Sequence, residues 1–457
     1  MDFSAANRGL WNPIIQIGII AGLILLANVL RRKLPLVKKT LMPTAVLAGF
    51  ILLGIRMSGV IEIDATFLET LTYHAIAMGF IALSLRVPTK VHGEGALTGS
   101  KSGALIVSTY LVQAIVGLTI SLALAYTVMP ELFQASGILL PMAYGQGPGQ
   151  ANNVGVTYQN LGMVGGRSFG LSLAAAGYLC ACIVGVAALN LRRKKFARRV
   201  GNGKDISGSV TIDAFQDQNE IPVAESIDKL SVQIALVALV YLLTYLFTWG
   251  VVSLLEAVAP GVAETVSSLL WGFNFIVGSV IAIGARNLLK GLQTLKLMNR
   301  QYQNNYLLSR ISGLAFDLMI IAGIASINVE DLTGYWLPFA LMAVLGGVVT
   351  YLYLRWICRK LYPTYFEEAF FSMYGMLTGT ISSGVLLLRE IDPDYETPAA
   401  NNLVSGSSFG IVFGAPVLLL VSFAAKGGWT VPATICIAAV YLAALLCFIA
   451  KAGKTRK

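Results

Sequence analysis

Eleven long apolar blocks, separated by shorter polar segments, account for most of the sequence. A helix needs about 20 mostly apolar residues to cross a bilayer, and each block approaches or exceeds that length. A helix also satisfies its own backbone hydrogen bonds in hydrocarbon, so the pattern predicts transmembrane helices. The blocks occupy residues 14–30, 42–58, 67–85, 104–129, 170–190, 230–254, 269–285, 311–327, 334–357, 402–424 and 430–450.

The composition favours a membrane protein and excludes several other classes. Of the 457 residues, 56% are hydrophobic and 12% are charged, whereas a soluble domain carries about 25% charged residues. Disordered chains have the opposite composition, and five cysteines are too few for a disulfide-rich secreted fold. No basic segment precedes the first block, so we expect no cleaved signal peptide. The sequence predicts an all-α polytopic membrane protein with about 11 transmembrane helices.

The charged residues between the blocks fall into two sets that alternate along the chain. Cytoplasmic loops are expected to be basic, so we place the N-terminus outside and the C-terminus inside. The net charge of +10 then reflects topology and does not indicate nucleic-acid binding. The basic loops contain Arg31, Arg32, Lys33, Lys38, Lys39, Lys90, Lys101, Arg192, Arg193, Lys194, Lys195, Arg198, Arg199, Arg286, Lys290, Lys296, Arg300, Arg355, Arg359 and Lys360. On the acidic side, the basic residues are Arg8, Arg56, Arg167 and Lys426.

Short sequence matches recur in the same order in both halves of the chain. The motif YGxxxG begins at Tyr144 and again at Tyr374, and residues 166–171 (GRSFGL) match residues 406–411 (GSSFGI). The first half contains five blocks, an odd number, so the second half starts from the opposite side of the membrane. The repeats are therefore predicted to be inverted, a construction typical of secondary transporters.

This pattern divides the chain into four segments. Residues 1–190 form the first repeat, and residues 230–424 form the second, inverted repeat. Between them, the polar stretch 191–229 is predicted to be a cytoplasmic linker. Residues 425–457 are predicted to add a further transmembrane helix and a cytoplasmic tail.

A segment too broken to span the membrane lies between the fourth and fifth blocks of each half. Residues 133–165 contain a Gly-rich run, YGQGPGQANN, and residues 366–392 contain the hydroxyl-rich run YGMLTGTISSG. Glycine and proline interrupt helices and free backbone groups, which in a bilayer need a polar cavity lined by protein. We predict two re-entrant hairpins that enter from opposite sides. Glycine kinks that permit tight helix packing are the alternative.

The two hairpins supply most of the candidate binding residues. Helix N-termini beside an anion and free carbonyls beside a cation would form a joint site near the midplane. Substrate contacts are predicted for Gly145, Gln146, Gly147, Gly149, Asn152, Asn153, Thr378, Ser382, Ser383 and Arg389. Cation contacts are predicted for Tyr144, Gly375, Thr380, Asn274 and Asp317.

Three of these residues also have a structural explanation. Arg389 can hold a carboxylate with its guanidinium, or it can extend to the membrane surface and pair with Glu390. Asp317 lies inside the eighth block, where an ionisable group is costly, so it is a candidate sodium ligand or proton carrier. An ion pair with Arg310 is the alternative for Asp317, and a bond to a neighbouring helix is the alternative for Asn274.

The sequence contains no motif for primary energy coupling or for enzyme chemistry. A phosphate-binding loop needs GxxxxGK[ST], and the nearest string, residues 99–102 (GSKS), lacks the Gly-Lys pair. The metalloprotease motif HExxH is also absent, and no spacing indicates a transition-metal site or another cofactor. We therefore expect a protein that is not an enzyme, and solute movement driven by an ion gradient or by the solute's own gradient.

Three short segments carry a resemblance to a known family. They are residues 41–50 (LMPTAVLAGF), residues 145–149 (GQGPG) and residues 168–171 (SFGL). They look like the proline-initiated second span, the GxGxG hairpin motif and the following helix of the bacterial sodium/glutamate symporter family. Gln146 and Pro148 stand where that family usually has His and Thr. The similarity covers about residues 35–421.

The resemblance implies a homodimeric, elevator-type carrier in the bacterial cytoplasmic membrane, with both hairpins in a mobile domain. It also implies sodium and L-glutamate as cargo. The sequence thus predicts a sodium-coupled symporter of L-glutamate or a similar small carboxylate that works by alternating access. A proton-coupled carrier, or a carrier of a hydroxycarboxylate such as citrate, is the alternative with the same fold. An ion channel is the alternative from a different class.

Overall fold

Helices make up most of the described part of the chain. The computed structural model describes residues 2–35, 37, 42–87, 93–196, 228–258, 267, 270, 271, 274–298, 300–392 and 397–454. Within these residues there is no β-strand, and ten helices are long and apolar enough to cross a membrane. A further apolar helix, Thr44–Ser58, has 15 residues. The prediction of a polytopic helical membrane protein is confirmed.

The helices are numbered here in chain order. They are α1 (Arg8–Lys33), α2 (Thr44–Ser58), α3 (Ala65–Leu85), α4 (Gly93–Thr127), α5 (Pro148–Asn160), α6 (Gly166–Leu179), α7 (Val186–Phe196), α8 (Lys229–Val258), α9 (Asn274–Thr294), α10 (Asn305–Ala325), α11 (Trp336–Leu361), α12 (Phe366–Thr378), α13 (Ile381–Arg389), α14 (Ala399–Ala424) and α15 (Thr430–Lys454). Short 3₁₀ helices occupy Gln134–Ile138, Glu330–Leu332 and Pro363–Tyr365, and π-helical turns occupy Pro141–Gly145 and Cys180–Gly185.

Several helices extend beyond their apolar blocks. Helix α4 begins at Gly93, well before the block that starts at residue 104. Helix α14 begins at Ala399, directly after Pro398, so the GSSFGI match lies inside this helix. The GRSFGL match instead starts α6, because Gly165 has a left-handed backbone, with φ +67°, that breaks the chain direction there.

The chain divides into two compact units. The first combines Met1–Phe67, Val91–Gly201 and Gly323–Lys457, and the second combines Leu68–Lys90 and Asn202–Ala322. Each unit therefore contains residues from both predicted repeats, and the extra helix α15 belongs to the first unit. Of the predicted linker, residues 197–227 lie outside the described part of the chain.

Helix α4 is the central helix of the first unit. It packs against α11, α14 and α15 and against the 3₁₀ helix Gln134–Ile138. Its buried residues lie on all sides, among them Leu105, Val107, Leu111 and Leu118, as expected for a helix surrounded by other helices. The position of α4 brings it into contact with both segments that the sequence identifies as broken.

The second unit has its own apolar core. Ile81 and Leu85 of α3 pack with Val240 of α8, Ala282 of α9 and Leu308 of α10. Phe316 of α10 also packs on Gly79, where an added Cβ would lie 2.8 Å from its Cδ1 atom. This packing holds the four helices of the unit together.

Candidate functional site

Two helical hairpins form in the first unit, at the segments predicted from the sequence. Hairpin 1 (residues 133–165) consists of a 3₁₀ helix, a π-helical turn and α5. Hairpin 2 (residues 366–392) consists of α12 and α13. The helical path is interrupted next to Gly147 in hairpin 1 and at Gly379 and Thr380 in hairpin 2. These interruptions are the tips of the two hairpins.

Each hairpin folds back on itself. In hairpin 1, the ring of Phe133 lies 5.1 Å from the ring of Tyr158, which joins the start of the first leg to the end of the second. In hairpin 2, an added Cβ on Gly375 would lie 2.7 Å from the carbonyl oxygen of Ser383, so only glycine permits this close packing of α12 on α13. Gly147 has φ +87° and ψ −178°, a conformation that essentially only glycine adopts.

The tips of the two hairpins meet. A Cβ atom added to Gly147 would lie 3.4 Å from Cγ2 of Thr380 and 3.6 Å from the carbonyl oxygen of Gly379. Gly147 of hairpin 1 is therefore a spatial neighbour of Gly379 and Thr380 of hairpin 2. That both segments bind one solute jointly stays a prediction.

The two hairpins approach their tips from opposite ends of helix α4. Three of its residues form hydrogen bonds to the hairpins or their bases. They are Ser121 to the carbonyl of Gln134 (2.7 Å), Gln113 to the carbonyl of Leu377 (2.9 Å) and Ser102 to the hydroxyl of Tyr362 (2.7 Å). At a rise of 1.5 Å per residue, Ser102 and Ser121 are about 28 Å apart, close to the hydrocarbon thickness of a bilayer. The tip of hairpin 2 contacts α4 between these two ends.

Four polar side-chain atoms at the tips are buried and have no hydrogen-bond partner among the described residues. They are Gln150 Oε1 and Asn153 Nδ2 in α5, and Thr380 Oγ1 and Ser383 Oγ in hairpin 2. The side chains of Gln150, Asn153 and Ser383 are each exposed by 4% or less. A buried polar group left unpaired costs about 1–3 kcal/mol. Four of them in the helix turns that follow the two tips therefore indicate a site for a polar ligand.

The oxygens of hairpin 2 suit a hard cation. Helix α12 ends at Thr378, which frees carbonyl groups in its last turn. An added Cβ on Gly379 would lie 2.9 Å from Ser383 Oγ and 3.2 Å from the carbonyl oxygen of Gly375. The hydroxyl of Thr380 lies next along the chain. Carbonyl and hydroxyl oxygens are ligands that hard cations prefer.

A buried arginine lies beside Asn152 of this site, although its charge alone predicts only a position on the external side of the membrane. Arg167 lies in the first turn of α6 and is the one buried arginine or lysine within the described residues, with 7% exposure. Its Nε donates to Asn152 Oδ1 at 2.8 Å, and Asn152 Nδ2 donates to Asn153 Oδ1 at 3.3 Å. Arg167 has further interactions within the protein. The sequence gives one signal for Arg167: it is a basic residue on the predicted external side, where few basic residues occur.

Three predicted residues of the hairpins already have hydrogen-bond partners. The hydroxyl of Thr378 donates to the carbonyl of Tyr374 in its own helix, at 2.7 Å. The hydroxyl of Tyr144 donates to the carbonyl of Ala343 in α11, at 2.7 Å. The amide of Gln146 faces the sulfur of Met142 at 3.5 Å, and this side chain is partly exposed. These contacts tie hairpin 1 to α11 and hold the helical turns before both tips.

Four other predicted residues lie elsewhere or are not described. The side chains of Ser382 and Arg389 lie outside the described residues. Asn274 and Asp317 belong to the second unit. There, Asn274 Nδ2 donates to the hydroxyl of Tyr241 at 3.3 Å, which is a bond to a neighbouring helix.

Asp317 is exposed on α10 in the second unit. No ion pair joins it to Arg310 in the described part of the chain. The guanidinium of Arg310 instead lies over the ring of Tyr306, 4.9 Å from its centroid. The structural explanation for Asp317 thus has no contact to support it, and its role in cation or proton binding stays a prediction.

Polar contacts hold the base of hairpin 2. Tyr362 shares a hydrogen bond with Ser102, and Asn402 Nδ2 donates to the hydroxyl of Tyr365 at 2.8 Å. Burial raises the pKa of both tyrosines, so the hydroxyls stay protonated. The base is therefore fixed to α4 and α14 by neutral hydrogen bonds.

The apolar spans and the two interrupted hairpins define a multi-pass helical membrane protein. No profile of a known protein family matches the chain, and no curated protein matches it by sequence. Within the described residues, no three His, Cys, Asp or Glu side chains lie close enough together to hold a metal ion.

Proposed function

We propose that this protein is a sodium-coupled secondary transporter of L-glutamate or a similar small carboxylate that works by alternating access. The main support is the group of buried, unpartnered polar atoms where the two hairpin tips meet. Packing of helices does not require such atoms, and burying them without partners is costly. A polar solute bound between the tips would provide those partners.

The anion would bind on the side of hairpin 1. Arg167 supplies positive charge beside Asn152, and Asn153 and Gln150 supply amide groups. Helix α5 starts at Pro148, so its N-terminal amides point towards the tip and favour a negative group. An Arg guanidinium also matches the geometry of a carboxylate.

Sodium would bind on the side of hairpin 2. The hydroxyls of Thr380 and Ser383 and the carbonyl of Gly375 provide neutral oxygens there. A cation at these oxygens and an anion beside Arg167 would stabilise each other's binding, and this mutual effect is the coupling that symport needs. Asp317 stays a candidate for a second cation or for a proton.

Movement of the first unit would expose the site to each side in turn, as in an elevator mechanism. Inverted repeats are proposed because YGxxxG starts in the first leg of each hairpin and because the hairpin bases lie at opposite ends of α4. By resemblance, the protein would be a homodimer in a bacterial cytoplasmic membrane. Its charge pattern supports an external N-terminus and a cytoplasmic C-terminus.

The test is transport by purified protein in liposomes. Labelled L-glutamate uptake is measured with an inward sodium gradient, with potassium in place of sodium as the control. Saturable uptake that requires sodium supports the proposal. Uptake driven by a proton gradient alone would replace sodium as the coupling ion, and conduction without saturation would indicate a channel. If neither glutamate nor other small carboxylates are taken up by verified proteoliposomes, the proposal is wrong.

A further inference from the structure

Gln113 lies in the middle of α4, and its side chain contacts two other helices. It is 1% exposed. Its Nε2 donates to Thr350 Oγ1 in α11 and to the carbonyl oxygen of Leu377 in α12, both at 2.9 Å. A glutamine amide has two N–H donors, so both are used.

The hydrogen bond from Gln113 gives the carbonyl of Leu377 a donor that helix α12 does not supply. A helix leaves its last four carbonyls without donors from the next turn, and α12 ends one residue after Leu377. One carbonyl of that turn, at Gly375, accepts from the backbone N–H of Gly379 at 3.1 Å. Leu377 has its donor in Gln113. At membrane depth, an interrupted helix needs such partners from the protein.

The same side chain also touches hairpin 1. A Cβ atom added to Gly145 would lie 2.9 Å from Gln113 Oε1. Oε1 has no hydrogen-bond partner among the described residues, so its contact with hairpin 1 is one of packing. Gly145 and Leu377 each precede the interruption of their hairpin by two residues. Gln113 therefore contacts each hairpin at a residue that lies two positions before the interruption of that hairpin.

We propose that Gln113 is a positioning residue that fixes the tip of hairpin 2 to α4 beside hairpin 1, so that hairpin 2 does not open by itself. The mechanistic meaning rests on the proposed transport function. Solute access would then change by movement of the first unit as a whole. The hydrogen bond between Gln113 and Leu377 forms without a bound solute, so its effect can be tested apart from transport.

Hydrogen exchange of the purified protein tests this inference without any substrate. In Gln113→Leu, the side chain keeps its approximate volume but loses the donor for Leu377. We expect amides in residues 374–384 to exchange about tenfold faster, which corresponds to about 1.4 kcal/mol. Amides in α15 should keep their rates, because α15 does not contain the broken bond.

Thr109→Val is the matched control. Thr109 is as buried as Gln113 and lies on the same helix, but its hydroxyl bonds only within α4, to Leu105. It should leave exchange in 374–384 within twofold of the original protein. If Gln113→Leu does not fold, Gln113→Asn keeps the amide on a shorter side chain and should show the same selective increase.

Two results would overturn the proposal. The first is unchanged exchange in 374–384 in a folded Gln113 variant. The second is an equal increase throughout the first unit, which would make Gln113 a general packing residue. Neither result depends on whether glutamate is transported, and absence of transport would leave the exchange result intact.

Discussion

At the scale of single residues, the proposed site would favour anions through the charge of Arg167. A buried guanidinium beside Asn152 stabilises an anion and disfavours a neutral solute. We predict that Arg167→Gln weakens glutamate binding by about 10–150-fold, since a hydrogen bond to a charged group contributes about 1.5–3 kcal/mol. Titration calorimetry in detergent with sodium present measures this change.

Controls separate this role from a loss of folding. Arg8→Gln removes an exposed arginine that is predicted to lie on the same side of the membrane, and it should leave glutamate affinity unchanged. Arg167→Lys keeps the charge but loses the planar guanidinium. Its glutamate affinity should therefore lie between those of Arg167→Gln and Arg8→Gln. Equal glutamate affinity in Arg167→Gln and the original protein would remove Arg167 from the site.

At the scale of elements, hairpin 1 depends on the backbone of Gly147. A residue with a side chain is strained by about 1–3 kcal/mol at φ +87° and ψ −178°. We predict that Gly147→Ala lowers the thermal unfolding midpoint and reduces uptake. Gly54→Ala is the control, because Gly54 lies inside α2 with nothing within 4 Å of an added Cβ. Its midpoint should stay the same or rise. Identical midpoints for the two alanine variants would contradict the strain argument.

The hairpins are the elements that the sequence predicts best. Glycine and proline interrupt the apolar pattern in 133–165 and 366–392, and both segments fold into interrupted hairpins. Helix ends are predicted less well, because they depend on single residues. Pro398 starts α14 at Ala399, whereas the apolar block suggests residue 402.

The roles proposed for Arg167 and Gln113 could not be predicted from the sequence, because they depend on tertiary contacts. Arg167 reaches Asn152, which is 15 positions earlier, only because α6 packs along α5. Gln113 lies inside an apolar block, and its partner Leu377 is 264 positions away. Periodicity and local motifs report on neighbours in sequence, so they do not identify such pairs.

At the scale of the whole molecule, symport needs a site that each side of the membrane can reach. The hairpins approach this site from opposite ends of α4, over about 28 Å between Ser102 and Ser121. The charge pattern predicts that the end near hairpin 1 is external and the end near hairpin 2 cytoplasmic. Opposed hairpins of this kind would give each side of the membrane its own route to the site, which suits alternating access.

Cysteine labelling of the two bases tests this arrangement. Leu161, 56% exposed, lies at the end of α5 in hairpin 1, and Thr364 is exposed directly before hairpin 2. In a variant without the five native cysteines, we predict that a membrane-impermeant thiol reagent labels Leu161→Cys in right-side-out vesicles and Thr364→Cys only in inside-out vesicles. Leu246→Cys, on the exposed apolar surface of α8, should react in neither, because lipid covers it. Labelling of both bases from the same side would contradict opposed hairpins and with them the inverted repeat, since an inverted repeat requires the two hairpins to enter from opposite sides.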